Sequence, residues 1–451
     1  MLGDGALAPP EPQSAAKAET DGSPSRTLKS VIQLYGLKCP GCDQEFAARV
    51  GVEPTKMTRF YVPCLHCEYP IKARMFGEDL GHFRVEFDAS VVAIGGEALD
   101  RPFVTVDPTV PSRHNGAERG QLGTFPTMTL LHLAGDEGVE LIQVLQQGKD
   151  AASARWPIVR RLFEFYLAEN WTLFDKAAVE AYADWKTVDT EHERATFAHQ
   201  AVGELMAAVS GPRSEAAAMF IRRLGMKHTA ALNHRAYREE LHALAKSGEL
   251  ASLQRQVFDE IGRFVESLPS WQMGILDRYV SGEARSELAD LTLFRDEFDT
   301  LRDRYQQSYE LVCKVIKIAL AAQNTVIRKN PTDFGPVPAA IGIKTSPTTL
   351  AKFDRLSTAH RLQYLRQVPR WEGFADLMNN KKRNAIGHAS ARHDLLTGRI
   401  ISDVYPSGVS YLEVCADVFG MFDALGASLQ VLRWARIATS RDFKYNQLHH
   451  P

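Results

Sequence analysis

At 451 residues, with 45% hydrophobic and 24% charged residues and a formal net charge of −2, the chain has the composition of a globular protein of two or three domains, too long for one typical core. That charge balance predicts no bulk attraction to nucleic acid or to a membrane surface. The N-terminus lacks the basic region and apolar run of a secretory signal, and no stretch of eighteen apolar residues marks a transmembrane helix, so the expected location is the cytoplasm.

Residues 1–28 are rich in Ala, Pro, Ser, Glu and Gly and nearly devoid of large apolar side chains, a composition that cannot offset the entropy of ordering and predicts a disordered tail. The alternating run Val31-Ile-Gln-Leu-Tyr-Gly-Leu-Lys38 predicts a strand leading into the first of two cysteine pairs. Cys39-Pro-Gly-Cys42 and Cys64-Leu-His-Cys67 give the spacing C-x2-C-x21-C-x2-C. Two thiolates two residues apart reach one ion if the chain turns tightly between them, and Gly41 tolerates the positive φ that such a turn often needs. Two such turns at the tips of two hairpins would complete a tetrahedral sulfur shell, and binding the ion substitutes for the core that so short a segment lacks. On these four cysteines, residues 29–75 resemble a zinc ribbon, which implies a structural zinc ion held by Cys39, Cys42, Cys64 and Cys67. Zinc ribbons serve nucleic-acid binding, partner docking and purely structural ends alike, and the modest basicity here leaves those uses open.

Over 76–130 the period-two runs beginning at Phe83 and at Phe103 predict a small β-element, with Gly95-Gly96 as a turn between them. From 131 to 285 the character changes to amphipathic helices, predicted over 158–171, 179–185, 192–209, 216–226, 250–268 and 272–280. This helical domain carries His192, His199, His228, His234 and His242, whose spacing is not that of metal ligands on one helix face, so they are expected as core or surface residues.

Residues 286–445 are predicted as a second helical domain: a long helix over 287–329 with a kink or break, a helix over 350–366, another over 374–392, a β-hairpin around Pro406-Ser-Gly408 and a closing helix over 413–437. The stretch Lys381-Lys-Arg-Asn-Ala-Ile-Gly-His388 lies in the third of these. Residues 351–392 hold nine Lys or Arg against three acids, a local charge of +6. If the segment is helical throughout, Asn384, His388 and Arg392 share one face, with Arg383 near enough to bend toward His388.

Arg383-Asn384-x-x-x-His388 and the order of helices around it resemble the HEPN family (higher eukaryotes and prokaryotes nucleotide-binding), compact helical bundles defined by an arginine and a histidine with four to six residues between them. The loose spacing alone recurs at Arg59/His66, Arg194/His199, Arg223/His228, Arg235/His242 and Arg355/His360. What singles out Arg383/His388 is the amide that follows the arginine, the small residues Ala385, Gly387 and Ala389, and the place between bundle-like helices. The fold class expected is therefore mainly α: an HEPN-like C-terminal bundle with a small β-hairpin, a helical middle domain and an N-terminal β zinc ribbon.

Similarity to catalytic HEPN proteins implies metal-independent endoribonuclease chemistry, leaving 2′,3′-cyclic phosphate ends. His388 would act as acid/base on the ribose 2′-OH, Arg383 would stabilise the five-coordinate phosphate, and Asn384 would orient the site. Lys381, Lys382 and Arg392 would grip the RNA backbone. The resemblance also implies a homodimer joining two motifs, and a toxin or defence setting with a possible protein partner or inhibitor. Two other readings remain: a non-catalytic HEPN nucleotide- or partner-binding protein, and a zinc-ribbon nucleic-acid-binding regulator whose helices only dimerise.

Overall fold

The computed structural model describes residues 31–52, 55–79, 82–92, 103–113, 126–182, 186–211, 213–288, 291–378, 380–387 and 391–443. The tail over 1–28, the Gly95-Gly96 turn and His388 lie outside the described residues.

The N-terminal part is all β. Strand β1 (Val31–Lys38) pairs antiparallel with β2 (Glu45–Val52), and β3 (Thr55–Pro63) with β4 (Pro70–Asp79). These are two hairpins with a cysteine pair in each turn. The run beginning at Phe83 is interrupted at Asp88-Ala89, so that β5 (His82–Phe87) adds to β4 while β6 (Ser90–Val92) adds to β1. Strand β7 (Phe103–Val106) lies parallel to β2. Phe46, Val50, Phe60, Val62, Ile71, Met75, Val104 and Val106 bury one core between these sheets. The ribbon over 29–75 and the β-element after it therefore share a core. Strand β8 (Ser112–Arg113) leads away from it.

The rest is predominantly helical. In order come α1 (Pro126–Ala134), α2 (Gly138–Asp150), α3 (Trp156–Leu167), α4 (Trp171–Ala181), α5 (Glu191–Ser210), α6 (Glu215–Leu232), α7 (Arg235–Lys246) and α8 (Glu249–Glu266). Three short helices, α9 (Leu268–Trp271), α10 (Leu276–Tyr279) and α11 (Gly282–Glu287), precede β9 (Leu291–Thr292) and the 31-residue α12 (Phe298–Arg328). Then follow α13 (Leu350–Asp354), α14 (Thr358–Arg366), α15 (Glu372–Asp376) and α16 (Asn380–Gly387). A three-stranded sheet of β10 (Arg392–Asp394), β11 (Arg399–Ile401) and β12 (Val409–Ser410) comes before α17 (Tyr411–Thr439).

Helix α17 opens with a capping box: Ser410 Oγ accepts from Glu413 N at 3.1 Å, and Ser410 N donates to Glu413 Oε2 at 2.7 Å. It is apolar on every side because it is the axis of the helical core, packed by α5, α6, α7, α8 and α12. By length and composition alone it is apolar enough to cross a membrane, unlike anything expected from the sequence, but 78% of that apolar window is buried inside the protein. One hydrophobic core runs from Val110 to Ala438. The segments expected as separate helical domains over 131–285 and 286–445 thus share a single core, because α12 and α17 bury their apolar faces against α5 to α8 rather than against each other alone.

The segment between β9 and α12 joins the β part to the helical part, where His393 and Leu395 also meet the β core. Leu291 and Leu293 belong to the helical core, while Phe294 belongs to the β core. Tyr61 N donates to Phe294 O at 3.0 Å and Asp296 N to Arg59 O at 2.9 Å, so the segment runs beside β3 as a further strand would. Arg295 is 1% exposed. Its Nε donates to Pro108 O at 2.6 Å and its Nη1 to Glu297 Oε2 at 2.7 Å, while Glu297 Oε1 accepts from Arg59 N at 3.0 Å. A buried guanidinium is tolerated only with such partners. Arg295→Ala, which strands the Glu297 carboxylate, is expected to lower unfolding free energy by about 3–5 kcal/mol in denaturant titration. A loss below about 1 kcal/mol would show that this joint does not hold the two parts together.

Candidate functional site

The two cysteine turns repeat each other bond for bond. Cys39 N donates to Gln44 O and Cys64 N to Tyr69 O; Asp43 N donates to Cys39 O and Glu68 N to Cys64 O, all at 2.9 Å. Gly41 N points at Cys39 Sγ at 3.3 Å and His66 N at Cys64 Sγ at 3.4 Å. The positive φ falls on Asp43 (62°) and Glu68 (61°), not on Gly41. At Gly41 a Cβ would stand 3.1 Å from the Tyr69 ring, a tight approach that the exposed ring would have to yield to.

Sγ of Cys39 and Cys67 are 3.7 Å apart, as are those of Cys42 and Cys64, and all four lie within 4.8 Å of one another. Tetrahedral sulfurs around an ion with bonds of about 2.3 Å are separated by about 3.8 Å, so the four cysteines form a group that fits a thiolate-bound metal ion. Cys39 and Cys64 are buried and Cys67 is exposed at the rim. Burial pushes the Cys64 thiol up to about 12, so a cation is what would make it a thiolate near neutrality. His66 is not part of the group; its Nε2 lies 3.4 Å from Glu45 O and its ring stands edge-on to Phe46. Cys313 and Cys415 are buried in the helical core, where burial pushes both thiols far up.

Arg383 sits on α16, against α12. Its Nη2 donates to Glu310 Oε1 at 2.7 Å and its Nη1 to Asn384 Oδ1 at 3.2 Å, while the guanidinium carbon lies 5.7 Å from the centre of the buried Tyr309 ring. The side chain is about one-third exposed at 32%, and its buried Nε has no partner among the described residues. Glu310 was not singled out by the sequence, where a lone acid in the apolar run Tyr309-Glu-Leu-Val-Cys313 carries no distinguishing signal.

Lys382, the next residue, turns the other way. Its Nζ lies 2.8 Å from Asp417 Oδ1 on α17, beside a cavity of about 410 Å³ that Asp277, Asp376 and Glu413 also line. Burial, opposed by Lys382, pushes the Asp417 carboxyl up to about 6. The ammonium expected to grip RNA is thus seated on a carboxylate. Lys381 is exposed.

The helix expected over 374–392 is broken: α15 ends at Asp376, α16 spans Asn380–Gly387, and Arg392 opens strand β10 opposite Ile401. Arg392 therefore shares no helical face with Asn384. The basic run is also partly spent within the fold. Arg361 is buried and donates to the carbonyls of Leu356, Cys313 and Asp354, and Arg366 pairs with Asp376 at 2.8 Å. In the middle helices, His199 is a core residue between Ala195 O (2.7 Å) and Gln254 Nε2 (3.0 Å), and His228 contacts the Tyr237 hydroxyl at 2.9 Å. Burial lowers them to about 3 and about 4 respectively, so both are neutral near pH 7.

Metal analysis of the purified chain is expected to find about one thiolate-bound divalent ion per molecule, and Cys64→Ser to lose most of it while lowering the thermal midpoint. A metal-free chain of unchanged stability on adding a chelator would contradict the four-sulfur site.

No family model, no curated protein and no solved structure matches this chain.

Proposed function

We propose that this chain is a cytoplasmic, metal-independent endoribonuclease that cuts RNA with Arg383, Asn384 and His388, and that its four cysteines hold a structural zinc ion. The observation that carries the reading is the setting of Arg383. A permanently charged guanidinium, partly exposed, is fixed from three sides by Glu310, Asn384 and the Tyr309 ring on a helix whose last residue, Gly387, precedes His388 in the sequence. A pre-set cation of this kind is what charge building on a five-coordinate phosphate requires, and an imidazole supplies the proton transfer. Glu310 holds the guanidinium until a phosphate competes for it, and Asn384 keeps its plane in register.

Zinc is the ion favoured by a tetrahedral all-sulfur shell in a reducing compartment, and nothing in the proposed cleavage passes through it. The resemblance to HEPN proteins adds a homodimer and a toxin or defence setting, with RNA as substrate and an inhibitory partner. A second reading rests on the same ion pair: Arg383 bound to Glu310 also suits a non-catalytic HEPN domain, in which the pair only ties α16 to α12.

Purified chain is expected to cleave single-stranded RNA in EDTA, leaving 2′,3′-cyclic phosphate ends. Arg383→Ala and His388→Ala should each lower cleavage by at least about 100-fold, the range of a lost transition-state donor or general base. A fully active His388→Ala enzyme would remove the proposed chemistry. RNA binding without cleavage, unchanged by His388→Ala, would favour the second reading.

A further inference from the structure

A cavity of about 370 Å³ lies between α6, the C-terminal half of α12 and the segment after α14, well away from Arg383. Glu310 and Gln323 are thirteen residues apart on α12, which places the two regions about 20 Å apart along the helix. Three cations line the cavity, Arg223 and Lys227 one turn apart on α6 and Arg328 on α12, and no acidic residue does. None of the three makes an ion pair with a carboxylate among the described residues, whereas Arg278, Arg304 and Arg366 do.

Arg328 is held in place without being neutralised. Its Nη1 donates to Asn324 Oδ1 at 3.0 Å and lies 3.4 Å from Asp333 O, and its guanidinium packs on Gly335. At Gly335 φ is +71°, a conformation that favours glycine, and a Cβ there would come within 2.4 Å of Nη2 and displace the guanidinium from its place. The floor is apolar, built from Trp371 and Phe334. Gln323 is among the lining residues, and its Oε1 is buried with no hydrogen-bond partner among the described residues. A buried carbonyl oxygen left without a donor is costly, and a ligand N–H or O–H would remove that cost.

Uncompensated cations around a concave site of small-molecule size, with an apolar floor and an unfilled acceptor, select an anion that also carries a polar organic body. We propose that this cavity binds a small organic di- or triphosphate, the phosphates taken by Arg223, Lys227 and Arg328 and the organic part read by Gln323. The three positive charges suit a diphosphate better than a single carboxylate. Neither Arg383 nor the cysteines take part.

Calorimetry on the full chain at physiological ionic strength tests this with ADP, inorganic pyrophosphate and sulfate. ADP is expected to bind saturably and more tightly than pyrophosphate, with sulfate weakest. Arg328→Glu and, separately, Lys227→Ala change exposed or half-exposed side chains and should each weaken ADP at least tenfold with an unchanged thermal midpoint of the free protein. Gln323→Leu should bring ADP down to the affinity of pyrophosphate. Absence of saturable ADP or pyrophosphate binding would overturn the proposal, and so would binding unaffected by both charge variants. Equal affinity for all three anions would mean unspecific charge attraction and would overturn it as well.

Discussion

Two adjacent cations pin α16 between the two longest helices among the described residues. Lys382 reaches Asp417 on α17 and Arg383 reaches Glu310 on α12, because consecutive residues on a helix point about 100° apart. The pairs differ in degree. Asp417 is 21% exposed and burial raises its carboxyl, so breaking its contact would leave a carboxylate only partly solvated. Arg383 and Glu310 are each about one-third or more exposed, and such a pair contributes at most about 1 kcal/mol to stability. The first contact fastens the helix, and the second is better understood as aiming a guanidinium that remains open to water on one side.

The β part depends on a different constraint. Its core is small, and two things close it: the sulfur tetrahedron at the hairpin tips and the segment through Phe294 and Arg295 that docks it on the helical part. Since Leu293 enters one core and Phe294 the other, the alternation of a single extended segment fixes both parts in one register. The four cysteines sit at the hairpin tips, and the joint meets β3 at Arg59, Phe60 and Tyr61. Loss of either should loosen the β part before the helical core, whose axis α17 is enclosed on all sides.

Much of this was legible in the sequence where one residue type has one use. Paired cysteines with a fixed spacing announced the hairpin tips, and the long apolar periodicity announced α12 and α17. Periodicity shows that a face is apolar but not what covers it, which is why one core over Val110 to Ala438 was read as two domains. The helix break after Asp376 falls near Asn379-Asn380, whose weak helix propensity alone does not mark a boundary, and the β10 pairing of Arg392 with Ile401 is a tertiary choice. The cations at 361, 366 and 382 looked like a basic face, and only their partners show them engaged. Glu310 was invisible because an acid on a helix is ordinary until something opposite needs it.

On the proposed chemistry, Glu310 positions Arg383 for a phosphate rather than simply tying two helices together. A double-mutant cycle on RNA cleavage, with Glu310→Gln, Arg383→Lys and the combined variant, separates the two roles. Glu310→Gln should lower cleavage with little change in the thermal midpoint, and the combined variant should be no slower than Arg383→Lys alone. Full cleavage by Glu310→Gln, or strictly additive losses, would contradict the positioning role.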